Sequence, residues 1–192
     1  YTEYEIPGVH DIENETSNVF VLFDKKEINA VKEYFYESNM PDSVSARYVV
    51  KDTKKDGPGV YMPAGRVSVF TEKKGKKYFT GEQRIFETAA GGKLEIVTGR
   101  IADVKAERSM KERKKISDRE WEEKHEIKFK NLRKKETELV CTENMNASYW
   151  EVISADFKYR KKDAGSFEYE IKLKPREEAA VTYTVRKPVS YT

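Results

Sequence analysis

The sequence predicts an all-β protein, organised as two consecutive β-sandwich, immunoglobulin-like domains over residues 1–101 and 102–192. Three observations carry this expectation. Phe167, Tyr169, Ile171 and Leu173 alternate with Glu168, Glu170, Lys172 and Lys174, and Val181, Tyr183 and Val185 repeat the pattern. Trp121, His125, Ile127 and Phe129 alternate with Glu122, Lys124, Glu126 and Lys128. Turn-forming residues separate these runs at sandwich-like spacing. Successive strand side chains point to opposite faces, so each run has one dry and one charged face. Several such strands bury their dry faces by packing sheet on sheet.

The N-terminal half reads as follows. Tyr1 to Ile6 is a strand closed by Pro7-Gly8, and Asn14 to Asn18 is a polar turn. Val19 to Phe23 is a short continuous apolar run, which reads as a buried strand. Glu27 to Tyr36 tolerates a helix, but Tyr34-Phe35-Tyr36 favours a strand. Ser43 to Lys51 is a strand, and Asp52 to Gly59 is a charged Gly/Pro loop. Pro63-Ala64-Gly65 reads as a turn feeding a strand at Val67, with Gly65 free to take a positive φ. Lys73 to Lys77 centres on Gly75 as a hairpin tip, and Tyr78 to Gly81 returns. Gly81 and Gly99 mark strand ends or bulges. Ala89 to Lys93 is a turn before a strand at Leu94 to Val97.

Beyond Arg100 the composition shifts. Lys105 to Lys115 is densely basic, broken by Glu107 and Glu112, and reads as a solvated hairpin or edge segment. Lys111 to Lys124 has helical propensity, but the period from Trp121 to Phe129 favours strand. Further strands are expected at about residues 119–130, 137–143, 149–159, 166–174 and 179–186, with Lys161 to Gly165 as a turn. Asn131 is placed to tie the backbone of the turn after its strand. Tyr169, Ile171 and Tyr183 are expected in the second core.

Composition narrows the function classes. The 192 residues are 38% hydrophobic, 12% aromatic and 37% charged, so aromatic rings must supply much of the buried area. Net charge is only +3, with both signs interspersed. That argues against a nucleic-acid footprint, whose weak support is the basic run at 105–115. No apolar run approaches a bilayer span. The chain opens at Tyr1 rather than Met, which reads as a piece of a longer protein.

Catalytic patterns are sparse. Two histidines (His10, His125) and one cysteine (Cys141) provide no His/Cys zinc set, and Cys141 reads as a buried strand residue. His125 shares the apolar face of Trp121 and Ile127, as a core or interface histidine would. No nucleophile elbow, phosphate loop or dinucleotide fingerprint occurs. Glu120, Glu122 and Glu123 contain the raw material of a glycosidase carboxylate pair, but glutamates are too numerous for that pairing to be specific, and an exposed strand edge is the better account.

Several phrases carry a resemblance. They include Met62-Pro63-Ala64-Gly65-Arg66-Val67, Phe79-Thr80-Gly81-Glu82, Gly92-Lys93-Leu94-Glu95-Ile96-Val97, Asp103-Val104-Lys105-Ala106, Ile127-Lys128-Phe129-Lys130-Asn131 and Lys161-Lys162-Asp163-Ala164-Gly165. In order and spacing over residues 43–186, the chain resembles the C-terminal region of mucoidy-inhibitor-like proteins, a group of unassigned biochemical role. The resemblance implies all-β domains and carries over no catalytic residue.

The expected function is therefore a non-enzymatic interaction module that binds a protein partner or cell-envelope component. It is expected to use no cofactor or metal and no nucleic acid. Strand edges and aromatic surfaces suit that task. Tyr34, Tyr36, Tyr149 and Trp150 are the candidate contacts, each with burial in the core as its competing role. The alternative is a carbohydrate-binding or carbohydrate-acting domain, in which aromatics stack on sugar rings.

Overall fold

A computed structural model describes residues 6, 8–12, 14–22 and 26–188. Twelve strands and no helix occur among them. The strands are β1 (Val31–Glu37), β2 (Val44–Val50), β3 (Gly65–Lys73), β4 (Lys76–Ile85), β5 (Leu94–Arg100), β6 (Val104–Lys115), β7 (Glu120–Asn131), β8 (Thr137–Asn144), β9 (Glu151–Ala155), β10 (Tyr159–Lys161), β11 (Ser166–Leu173) and β12 (Glu178–Pro188).

They form a six-stranded sheet in the order β10-β11-β8-β1-β2-β5, a four-stranded sheet β6-β7-β12-β9, and the hairpin β3-β4. All pairings are antiparallel except β1 with β8, where Tyr36 lies beside Cys141. The expected division at 101/102 falls in the link between β5 and β6, yet it does not separate sheets. The six-stranded sheet takes β1, β2 and β5 from one side of that link and β8, β10 and β11 from the other.

The alternation read from the sequence explains the main core. Leu139, Phe167 and Leu173 from the large sheet meet Val104, Ile127 and Phe129 from the small one. Tyr36 and Val44, from before the link, are buried among them. Tyr169 and Tyr183 are buried as expected, but Ile171 is only partly covered, and Leu173 takes the fully buried position. Asn131 does tie the turn: its Nδ2 is directed at the carbonyls of Lys135 (2.9 Å), Lys174 (3.0 Å) and Leu173 (3.2 Å). Its Oδ1 accepts from the Arg133 amide at 3.0 Å.

A second, smaller core lies at the β2–β5 end of the large sheet. Val50, Leu94 and Ile96 pack there against Ile85, Val67 and Val69 of the β3-β4 hairpin. Val44 and Val50 share one face of β2, since they are an even number of residues apart. The small sheet and the hairpin thus cover different stretches of the same face. The hairpin comes very close to β5: a Cβ on Gly81 would lie 2.5 Å from the Thr98 carbonyl oxygen. Gln83 reaches across to accept the Val97 amide. Bulges sit beside Gly81 and Gly99, as expected, and Gly99 has φ +119°.

Three readings need correction. Val19 and Val21 are not in a buried strand; they are 93% and 75% exposed and lie in irregular chain. A short apolar run without alternation or a sheet position to occupy does not by itself bury. Gly65 opens β3 without a positive φ, so its freedom is not used there. The expected single strand at 149–159 is broken into β9 and β10, which join different sheets. The expected strand at 1–6 lies almost wholly outside the described residues.

Candidate functional site

The β3-β4 hairpin runs past its small core into a free arm. Val67 and Val69 face the core, but from residue 70 to 79 no other strand covers the ribbon. Phe70 and Phe79 are direct cross-strand partners, with ring centroids 5.7 Å apart at an edge-to-face angle of 69°. They are 56% and 63% exposed. Tyr78, on the opposite face, is also about half exposed. A tight turn at Lys74 (φ 51°) and Gly75 (φ 73°) closes the ribbon.

Lys73, Lys74, Lys76 and Lys77 crowd this tip and are all exposed, with Glu72 as the nearby acid. Four lysines and one glutamate give residues 70–79 a charge of +3, equal to that of the whole chain. Elsewhere many charges are paired across strands. Examples are Arg47 with Glu33 and Glu95, Arg160 with Glu168, and Arg186 with Glu122. The arm therefore combines exposed aromatic area, of the kind enriched at interfaces, with a local excess of positive charge.

The four contact candidates fare differently. Tyr36 is fully buried in the sandwich core, packed edge-to-face on Phe129 at 5.3 Å, and is no surface residue. It faces inward because its face of β1 is the one that the small sheet covers. Tyr34 is half-buried and lies under the Arg133 guanidinium, 4.7 Å from the ring centroid. Trp150 packs on Phe167 and donates Nε1 to the Ala164 carbonyl at 2.7 Å, latching the β8–β9 loop to the β10–β11 turn. Tyr149 is half-exposed and donates its hydroxyl to Glu120 at 2.7 Å. They do not form one surface with the arm's rings through any ring contact among the described residues.

The sequence reading of a strand at Val67 and a hairpin tip at Gly75 does not single out the arm's rings. The usable signal was a change of parity: Phe70 is on the face opposite Val67 and Val69, directly before four lysines around a glycine.

The second polar centre lies between the two sheets. Glu143 on β8 is fully buried, accepting from the Tyr183 hydroxyl at 2.7 Å and from Arg108 Nε at 3.2 Å. Arg108 Nη2 in turn donates to the Tyr183 oxygen at 2.8 Å. Burial pushes the Glu143 carboxyl up, and Arg108 and Tyr183 only partly oppose it. The Cys141 thiol is pushed far up by burial, so it is no nucleophile, and its environment is strand interior as expected.

One turn of the strand pattern away, His125 Nε2 lies 3.2 Å from Glu123. Lys187 Nζ and Arg113 Nε approach the same carboxylate at 2.7 and 3.3 Å. Burial alone would raise Glu123, but hydrogen bonds from His125 and Lys187, with the Lys187 charge, hold it down at about 2. Burial lowers His125, helped by the charges of Arg108 and Lys187 and opposed by Glu123. The neutral imidazole thus spends Nε2 on the ionised carboxylate, while its buried Nδ1 has no hydrogen-bond partner among the described residues. Glu122, next in sequence, faces the other side and binds Arg186 at 2.7 Å. Glu122 and Glu123 therefore lie on opposite faces of β7, while Glu120 shares the Glu122 face and accepts from the Tyr149 hydroxyl.

No group of three or more His, Cys, Asp or Glu side chains that could hold a metal ion occurs among the described residues. No helix among them is long and apolar enough to cross a membrane. No protein-family model matches the chain, and no curated protein or solved structure matches it.

Proposed function

We propose that the chain is a non-enzymatic β-sandwich interaction module that grips an acidic protein partner with the β3-β4 arm. The observation that carries this reading is the Phe70–Phe79 pair, more than half exposed, on an arm whose tip carries Lys73, Lys74, Lys76 and Lys77. Burying the two rings would supply the anchor, since interface energy concentrates in a few aromatic residues. The lysines would steer an acidic surface into register and add rate more than affinity. Both edges of the arm are unpaired beyond residue 70, so a partner strand could also add to it through main-chain hydrogen bonds.

The likeness of residues 43–186 to mucoidy-inhibitor-like proteins rests on the sequence phrases and lends this reading no partner. The carbohydrate reading has less support: beside the exposed rings stand four lysines and a single carboxylate, Glu72.

The test is a selection from a random peptide display library. Selection is on the purified chain, with prior depletion on the Phe70→Ser/Phe79→Ser variant. The expected result is enrichment of acidic, apolar-containing peptides that bind the native chain and not the variant. Enrichment of neutral or basic peptides, or none beyond that on the variant, would overturn the reading.

A further inference from the structure

At the end of the sandwich where β1 and β8 finish, the two sheets part and leave a cleft of about 300 Å³. Arg108, Glu123, His125, Asn144, Asn146 and Lys187 line it. The β1–β2 turn closes it, with the Ser38 hydroxyl accepting the Asn144 amide at 2.8 Å. The cleft is small and polar, unlike the apolar pockets that take drug-like ligands.

Its two cations keep unused hydrogen-bond donors. The Glu123 carboxylate is already engaged by His125, Lys187 and Arg113. Arg108 uses Nε and Nη2 on Glu143 and Tyr183, which leaves Nη1 without a partner among the described residues. The Lys187 ammonium carries three protons and meets one carboxylate there. Side-chain amides of Asn144 and Asn146 offer both donors and acceptors, and the His125 ring keeps Nδ1 without a hydrogen-bond partner among the described residues. What the cleft lacks is a second anion to take the spare protons of Arg108 and Lys187. Arg108 is itself anchored from behind by a buried carboxylate, so its guanidinium is already oriented and loses little freedom on binding.

We propose that this cleft is a binding site for a small oxyanion, the carboxylate or phosphate group of a compact ligand, held between Arg108 and Lys187. The anion would take the unused guanidinium and ammonium protons as charge-assisted hydrogen bonds, the strong class of such contacts. The site is separate from the arm: it uses β6, β7, β8 and β12, none of which contributes to the β3-β4 hairpin. A module that carries both would report or require a small metabolite while holding its protein partner.

The experiment titrates the full chain with inorganic phosphate and, separately, with acetate, following backbone amides and the His125 ring by NMR. The expected result is a saturable shift confined to residues 38–39, 144–146 and His125, with a Kd on the order of 1 mM or below for at least one anion. Phosphate alone, or acetate alone, identifies which group the site selects. Lys187→Gln should weaken binding about tenfold or more, the scale of a lost hydrogen bond to a charged group. Met110→Trp, which fills the cleft mouth and leaves both cations in place, should abolish it. Lys172→Gln, on the other sheet, should leave it unchanged. Shifts that do not saturate, that spread over the surface, or that survive both cleft variants would overturn the proposal. So would an equal loss in Lys172→Gln, which would show bulk charge screening.

Discussion

The sandwich and the β3-β4 arm are written in the same alternating code and use it in opposite ways. In the sandwich, Phe129, Phe167 and Tyr183 point between two sheets and leave almost no surface. In the arm, Phe70 and Phe79 pair across two strands with nothing laid over them. A cross-strand aromatic pair contributes only about 0.2–1 kcal/mol to an isolated ribbon. Full burial of a phenylalanine side chain is worth about 1.5–3 kcal/mol. Local pairing is thus the same in both regions, and covering surface is what separates a core residue from a contact residue.

The sharpest way to break the comparison is to truncate one ring on each side of it. Phe129→Ala removes a fully buried ring between the sheets and should cost about 3–5 kcal/mol in urea denaturation. Phe79→Ser should change stability by no more than about 0.5 kcal/mol, the range of surface substitutions. Equal losses would mean that the arm is packed against something and is no free surface.

A second change addresses how the arm is fixed to the sandwich. Gly81→Ala places a methyl carbon against the Thr98 main chain, which has no side-chain freedom with which to yield. The expected cost is about 1–3 kcal/mol, the scale of overpacking. Limited proteolysis should then cut the arm first, while the sandwich strands stay protected.

A third prediction compares the two buried glutamates of the sandwich, whose pH dependences have opposite signs. Glu123 is held at about 2, below its value of about 4.3 in an unfolded chain. Its contribution is therefore full above that unfolded value and is lost as pH falls toward 2. His125, lowered chiefly by burial, acts in the same direction: its contribution is present above its unfolded value and lost as pH falls through its folded one. Glu143 is raised by burial, so its contribution is full below the unfolded value and lost as pH rises through the folded one. Glu123→Gln should lower stability at neutral pH by about 1–3 kcal/mol. It should also flatten the acid limb between roughly pH 4.3 and 2. An acid limb unchanged in the variant would show that Glu123 is not the group that sets it.

Much of the sandwich was legible in the sequence because alternation states which face is dry. β7, β11 and β12 lie where Trp121–Phe129, Phe167–Leu173 and Val181–Val185 placed them. Asn131 and the glycines at 81 and 99 could be read because a single backbone requirement explains each. Sheet membership could not be read. The parallel pairing of β1 with β8 joins residues about a hundred apart, and alternation carries no information about which strand lies alongside. That is why a boundary near 101 looked like a division when the large sheet draws on both sides of it.

The candidate sites were less visible for a related reason. Tyr36 and Phe79 are both aromatic residues in strands, and only the presence or absence of a second sheet makes one core and the other surface. The cleft at the sandwich mouth is assembled from Arg108, Glu123, Asn144 and Lys187, which sit on four different strands or their ends. No local spacing could have announced it.

The central claim is that the arm's rings serve binding and not folding. One paired measurement tests it: urea denaturation and titration with the selected acidic peptide, both on Phe70→Ser/Phe79→Ser and on the native chain. The account predicts an unfolding midpoint close to the native one and peptide affinity reduced about a hundredfold, on the scale of losing an aromatic hot spot. A collapsed midpoint with peptide binding intact would contradict it.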